Sequence, residues 1–319
     1  MQGGGCDLVR FTGFSRRKDD AVRVVPCEFF SDGTPISGVL TEPEDTTRRY
    51  PGVVLCHGFS AVKEMVSPDA AAAFASGADP FVTLAFDYRF FGQSGGEPRG
   101  RLHPLEQVDD IRAALSFLEI HPLVDADRLC LWGPSFGGGN ALHVRAVDDR
   151  VAATAIVNPV TDGNAWVRSR NSVASMVELL ERVREGRLAA ATAPDVCEIP
   201  TAEFIPSTPG KSEKAPRPWE DVRRPASITL DSVDKILAHR PVTSASAAST
   251  PLLVIVSPRD TIVPCSEGEN AYRAAAGQKR LIRLPPECGH YNTYEPPWAG
   301  VVFKHSADWL NAVLGVTAA

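Results

Sequence analysis

The chain has 319 residues, 44% hydrophobic and 23% charged, with 33 Lys and Arg against 39 Asp and Glu for a formal net charge of −6. These are ordinary values for a globular protein, and the length allows one large domain or two smaller ones with a sizeable core. Mild acidity gives no electrostatic footprint for nucleic acid or an anionic membrane, both of which call for clustered Lys and Arg, so neither is expected as a partner. The seven cysteines include no C-x-x-C pair, and several lie inside apolar runs such as Leu129-Cys130-Leu131. They read as small core hydrophobes in a reducing compartment. Met1 to Asp7 lack the basic-then-apolar order of a secretory signal. No apolar run approaches the ~18 residues needed to span a bilayer. The expected location is the cytoplasm.

Strand-like and helix-like stretches alternate, the pattern of an α/β fold with a mainly parallel sheet. Val22 to Phe30 and Ile36 to Leu40 flank the turn-rich Ser31-Asp32-Gly33-Thr34-Pro35 and read as an antiparallel hairpin. Gly52 to Cys56 and Phe81 to Phe86 are continuous apolar runs, as expected of strands buried on both faces. An alanine-rich helix is expected between them, from Asp69 to Ser76. Leu105 to Leu118 carries apolar residues close to a 3.6 period and predicts an amphipathic helix. Next come a strand over Arg128 to Trp132, a helix over Phe136 to Val147 and a strand over Val151 to Val157. The alternation resumes with a strand at Pro251 to Val256, a helix at Glu267 to Ala276, a strand at Arg280 to Leu284 and a terminal helix at Val301 to Leu314.

Residues 161–250 break this rhythm. They hold two helices, Ser172 to Arg184 and Asp231 to Ala238, around a Pro-, Ser- and charge-rich segment, Ala193 to Pro225, without apolar periodicity. Segments this long without elements of their own are usually lids or disordered. The expected organisation is a core in two parts, 1–160 and 251–319, with an inserted helical cap at 161–250.

The strongest chemical signal is Gly133-Pro134-Ser135-Phe136-Gly137, a G-x-S-x-G between a predicted strand and a predicted helix. A serine on so sharp a turn has strained backbone angles, and side chains two residues to either side would clash, which the glycines avoid. The helix that follows directs its positive end at the serine.

From these residues the chain resembles the α/β-hydrolase superfamily, from the hairpin to the terminal helix. Cys56-His57-Gly58-Phe59 and Phe86-Asp87-Tyr88-Arg89-Phe90-Phe91-Gly92-Gln93-Ser94 add local matches, the second departing at Phe90, where glycine is usual. The wider run, including Val62-Lys63-Glu64-Met65 and Gly96-Glu97-Pro98-Arg99-Gly100, is similar to the polyketide transferase and dienelactone-hydrolase-like branch. The resemblance implies a mostly parallel central sheet flanked by helices, and a triad in the order Ser, acid, His.

Among the histidines after Ser135, His143 and His305 fall in predicted helices and His239 in the insert, whereas His290, in Glu287-Cys288-Gly289-His290, follows the last strand. His290 is therefore the expected base. Val256-Ser257-Pro258-Arg259-Asp260-Thr261-Ile262-Val263-Pro264 resembles the family's G-x-x-D-x-x-V-P segment, with Ser257 in place of glycine, and makes Asp260 the expected acid. Asp162 is the rival, and Asp87 is expected to brace the loop beneath the site. The oxyanion donors implied are the backbone N–H of Phe136, directly after the nucleophile, and of Phe59. His57 is expected to be structural. Trp166 is equally readable as an acyl-pocket wall or as core of the cap.

Cys56 and Cys288 lie near these segments but not on the elbow, so buried, inert thiols are expected. No motif calls for a metal, dinucleotide or other cofactor. The chemistry expected is acyl transfer from a small-molecule ester or thioester, free or carrier-bound, with a polyketide-like acyl chain implied by the resemblance. Release to water would make a hydrolase. Release to another acceptor, or intramolecular capture, would make an acyltransferase or a lactone-forming cyclase. A non-catalytic acyl-binding module on the same fold is the remaining alternative.

Overall fold

In the computed structural model, which describes residues 22–193, 197–205 and 225–315, β1 (Val22–Ser31) and β2 (Thr34–Pro43) form an antiparallel hairpin. Its two-residue turn, Asp32-Gly33, has positive φ at both positions, which matches the twist of the flanking strands. The chain continues through β3 (Tyr50–Leu55), α1 (Lys63–Ala75), β4 (Val82–Phe86), α2 (Pro104–Glu119), β5 (Val124–Pro134), α3 (Ser135–Val147) and β6 (Val151–Val157). Between β6 and the next strand of the main sheet lie α4 (Gly163–Arg170), α5 (Val173–Ala190), β7 (Glu198–Pro200), α6 (Thr201–Phe204), β8 (Ser227–Thr229), α7 (Leu230–Ala238) and a 3-10 turn at Pro241–Ala247. The last elements are β9 (Leu252–Val256), α8 (Cys265–Ala274), β10 (Lys279–Arg283), a 3-10 turn at Tyr291–Tyr294 and α9 (Trp298–Val313). The eight-stranded sheet has the order β1-β2-β4-β3-β5-β6-β9-β10. Only the pairs made by β2 are antiparallel.

Alternate residues of the central strands feed opposite faces. Val54, Leu131, Ile156 and Val254 pack with Ile111 and Leu115 of α2 and Leu142 of α3. Val53, Cys130, Ala155 and Leu253 pack instead with Phe74 of α1 and Val302 and Trp309 of α9. Burial on both faces explains why these strands read as unbroken apolar runs. Among the described residues no helix is long and apolar enough to cross a membrane.

The structure departs from the expected elements in a few places. Helix α1 begins at Lys63 rather than Asp69, because its first turn is held from outside: Asp87 accepts from the Lys63 N–H at 2.8 Å and from its Nζ at 2.6 Å. The run Ala193 to Pro225, expected to lack regular structure, contains β7 and α6 in its described part; residues 194–196 and 206–224 of it lie outside the described residues, as do residues 1–7. Those elements are only three and four residues long, too short to show a period, and they persist because β7 pairs with β8 and Phe204 is buried.

The segment between β6 and β9 leaves and rejoins the core through one narrow neck. Gly163 N–H donates to His239 O (2.8 Å) and Val242 N–H to Thr161 O (3.0 Å), so the outgoing and returning chains are bonded to each other. The Asp162–Arg240 ion pair (2.7 Å) flanks them. Buried Glu267 of α8 holds the outgoing chain, accepting from the N–H groups of Thr161 (2.9 Å) and Asp162 (2.8 Å). On the returning side, buried Arg145 of α3 donates to the carbonyls of Ala245, Ala248 and Ala276 at 3.0–3.1 Å and to that of Thr250. His239, at the end of α7, stacks on His143 of α3 with ring centroids 5.6 Å apart.

Two outcomes follow for stability. Arg145→Met strands several buried carbonyls, each costing roughly 1–3 kcal/mol unless water reaches it. It should lower the free energy of urea unfolding by about 3 kcal/mol, and an unchanged midpoint would mean that water takes over the guanidinium's bonds. Burial, with His143 adding to it, pushes His239 from the usual 6.5 down to about 3. The unfolded chain therefore binds a proton near pH 6.5 that the folded one refuses until about 3, so this contribution is intact above pH 6.5 and is lost as pH falls towards 3. Urea midpoints measured from pH 7 to 4.5 should fall more steeply for wild type than for His239→Phe; parallel curves would count against it.

Candidate active site

Strand β5 ends at Pro134 and α3 begins at Ser135, with no residue between them. The reversal of direction forces Ser135 to φ +53°, a left-handed backbone that costs a non-glycine residue roughly 1–2 kcal/mol. Two contacts hold it there. Ser135 O accepts from Val160 N–H at 3.0 Å, and the first turn of α3 lies directly on the end of β3. A Cβ at Gly137 would fall on the carbonyl oxygens of Cys56 and His57, so only glycine permits that approach. The loop after β3 comes equally close from the other side: a Cβ at Gly58 would lie 3.3 Å from Ser135 Cβ and 3.8 Å from its Oγ. The leading N–H groups of α3, including that of Phe136, have no partner within the helix and carry the positive end of its dipole.

The loops after β9 and β10 supply an acid and an imidazole. Asp260 Oδ1 accepts from the N–H groups of Ile262 (2.7 Å) and Val263 (2.9 Å), which leaves Oδ2 directed at His290 Nδ1, 2.6 Å away. Both side chains are buried, at 0% and 4% exposure. A carboxylate can only accept from Nδ1, so in the neutral ring Nε2 is left with its lone pair. The ring is held edge-on by Tyr291 and Tyr294, with centroids at 5.3 and 5.9 Å. Thr293 Oγ1 caps the His290 carbonyl at 2.7 Å.

Ser135 and His290 open into one cavity of about 170 Å³, with Gly58, Phe59 and Trp166 in its walls. All five expected site residues, Ser135, Phe136, Asp260, His290 and Phe59, are thus gathered at one edge of the sheet. Phe136 is fully covered behind Ser135, its ring 6.2 Å from that of Phe59 and 6.0 Å from Trp166. A hydroxyl on a strained turn, an imidazole oriented by a carboxylate and unpaired N–H groups at a helix start together can carry nucleophilic acyl chemistry.

The alternatives are placed elsewhere. Asp162 caps α4, accepting from Ala165 N–H at 3.0 Å and Arg240 Nε at 2.7 Å. Asp87 is buried and braces the neighbouring loop through Lys63 and the Gln93 N–H (2.9 Å). His57 Nδ1 lies 3.1 Å from Gly58 O, its ring packs on Tyr88 at 4.5 Å, and burial lowers its pKa. The thiols of Cys56 and Cys288 are fully buried, and burial raises both pKa values, so neither carries a ready thiolate. Among the described residues no group of His, Cys, Asp and Glu side chains could hold a metal ion.

Trp166 is both a buried residue of the segment between β6 and β9 and part of the cavity wall. Its ring is 1% exposed, packed 5.5 Å from Phe59 and 6.4 Å from Phe204, and it also lines the cavity. Its Nε1 donates to Ile262 O at 3.0 Å, and Arg170 bonds to Thr261 O, so α4 is tied to the loop that positions Asp260. Sequence reasoning missed Thr201, Ala202 and Ile205, which complete the cavity from α6 and its end. They lie in the stretch without periodicity, where the short apolar pair Phe204-Ile205 is the sole trace of a buried element.

Comparison with known proteins bears on the family and the fold. The sequence model of the alpha/beta hydrolase family matches residues 53–302. An uncharacterised 31.7 kDa protein of Escherichia coli is 29% identical over 266 residues, 82% of this chain and 90% of that one. The thiohydrolase aneE of Aspergillus aculeatus is 31% identical over 247 residues, 72% of this chain and 76% of its own length. Among solved structures, the alpha/beta hydrolase GrgF of Penicillium sp. sh18 superposes with a TM-score of 0.75 at 22% identity, over 92% of this chain and 99% of that one, a likeness of fold.

Proposed function

The chain belongs to the alpha/beta hydrolase family, and we propose that it is a serine-dependent acyl hydrolase that opens an ester or thioester through an acyl-Ser135 intermediate. The observation that carries this reading is the pairing, in one cavity, of Ser135 on its positive-φ turn with His290, whose Nδ1 lies 2.6 Å from Asp260. A relative named a thiohydrolase supports thioesters as one substrate class.

His290 Nε2 takes the Ser135 proton as Oγ attacks the acyl carbonyl. Asp260 Oδ2, accepting from Nδ1–H, fixes the ring's orientation and stabilises the imidazolium that forms. The carbonyl oxygen, now negative, is held by the backbone N–H groups of Phe136 and Phe59. As the intermediate collapses, His290 gives its proton to the departing alcohol or thiol, leaving acyl-Ser135. Water then enters on the side the leaving group vacated. His290 removes its proton, a second tetrahedral intermediate forms, and Ser135 is regenerated with release of a carboxylic acid.

Intact mass after a fluorophosphonate should show one adduct on wild type and none on Ser135→Ala. Absence of the adduct from wild type would overturn the covalent mechanism. Asp260→Asn leaves the packing in place but removes the acceptor that fixes the histidine tautomer, so kcat on an acyl ester or thioester should fall roughly 10³–10⁴-fold with KM little changed. Product analysis during turnover with added alcohols or amines distinguishes release to water, which is expected, from transfer to an acceptor.

A further inference from the structure

We infer that the acyl group this site accepts is short, apolar and uncharged, about four to seven carbons long, and that Ile205 sets its upper limit; this rests on the acyl-Ser135 reading above. The cavity beside Ser135 is about 170 Å³. An apolar cavity of ~150 Å³ takes up benzene, so this space holds roughly six or seven carbon atoms, the reacting carbonyl included.

The walls determine which kind of group fits. Phe59, Trp166, Ile205 and Ile262 form its apolar lining, and no Lys, Arg, Asp or Glu lines it among the described residues. Of the polar side chains that reach it, Ser135, His290, Tyr291 and Tyr294 gather at the reacting centre, while the donors of the other three are already committed. Ser60 Oγ donates to Pro225 O at 3.4 Å and Thr201 Oγ1 to Ala226 O at 3.0 Å, while Trp166 Nε1 is bonded to Ile262 O. Away from the reacting centre, an acyl chain bearing a keto or carboxylate group would lose its hydration without finding a free donor among these three side chains, which is costly. The group favoured is therefore smaller and plainer than the polyketide-like chain implied by the sequence resemblance.

The apolar lining has two kinds of wall. Trp166 is fixed by its bond to Ile262 and by the rings of Phe59, Phe136 and Phe204, the last 0% exposed behind it. That side cannot yield. Ile205 stands outside this ring cluster, half-buried, at the end of α6, where its N–H bonds only to Thr201 O at 2.9 Å. It is the large apolar side chain of the insert whose size can change without disturbing the acid loop. Ala202 and Tyr291, both exposed, form the rim through which the leaving group departs.

The test is kcat/KM over p-nitrophenyl esters and matching acyl thioesters from C2 to C12, for wild type, Ile205→Ala and Ile205→Trp, with thermal melts to verify folding. For wild type, each methylene should raise kcat/KM about fourfold up to C4–C7, the gain expected for burying one such group. By C10 it should have fallen at least tenfold from the optimum. Ile205→Ala should move the optimum about two carbons longer, and Ile205→Trp to C2 or C3. A 3-oxoacyl or succinyl ester near the optimal length should be at least tenfold slower than its plain analogue. A profile still rising at C10, a preference for the oxygenated analogues, or the same optimum in folded Ile205 variants would each overturn the inference. Should one variant not fold, the other and the wild-type series decide alone. If Ser135 takes the fluorophosphonate but the chain-length profile is flat, this inference falls and the acyl-serine mechanism stands. If no chain is turned over and no adduct forms, both fall.

Discussion

Helix α3 starts one residue after β5 ends, so the chain reverses direction without a loop, and that junction imposes its geometry on the surrounding structure. Ser135 must adopt a left-handed backbone. The helix must then lie against the end of β3, close enough that Gly137 touches two carbonyl oxygens, and the next loop must pass over Ser135 at Gly58. Because β3, β5, β6, β9 and β10 are parallel, the loops following them emerge at the same edge. Residues remote in sequence, such as Ser135, Asp260 and His290, thereby meet where the chain is free to vary in loops while its strands stay fixed.

Strain at one point needs rigidity around it, and buried polar groups supply it in pairs. Arg89 meets Asp110 through both its backbone N–H (2.9 Å) and its Nε (2.7 Å). Lys63 and Asp87 are both covered and 2.6 Å apart. Asn158, at φ +43°, exchanges hydrogen bonds with Ser257, donating at 3.1 Å and accepting at 2.7 Å. Desolvating such pairs cancels much of their attraction, so their contribution is to fix geometry more than to add stability. Each lies where a loop leaves the sheet.

The sheet was legible because both its faces are covered, which writes each central strand as an apolar run, and the elbow because glycine spacing has a steric cause. Asp260 and His290 followed from their positions after β9 and β10 together with the resemblance. The two departures from the family pattern have local explanations. Phe90, where glycine is usual, does take φ +71°; its ring is buried and lies under the Arg101 guanidinium at 5.5 Å, so packing offsets the backbone strain. Ser257, the other replacement, uses its hydroxyl to hold Asn158. The insert was much less legible. Its elements β7, β8 and α6 are too short for a period and depend on each other's hydrogen bonds, so Thr201, Ala202 and Ile205 carry no sequence signal that they face a cavity.

The tie between α4 and the acid loop has a bearing on how such a protein can diversify. Because Trp166 and Arg170 bond to the carbonyls of Ile262 and Thr261, any change that displaces α4 also loosens the N–H groups that hold Asp260. The opposite wall rests on the small β7–β8 ribbon and, among the described residues, makes no such bond to the acid loop. Heritable variation in what the pocket accepts thus has an asymmetric route. Exchanges at Thr201, Ala202 and Ile205 leave the bonds to the acid loop in place, whereas altering the Trp166 side demands coordinated changes in two loops at once.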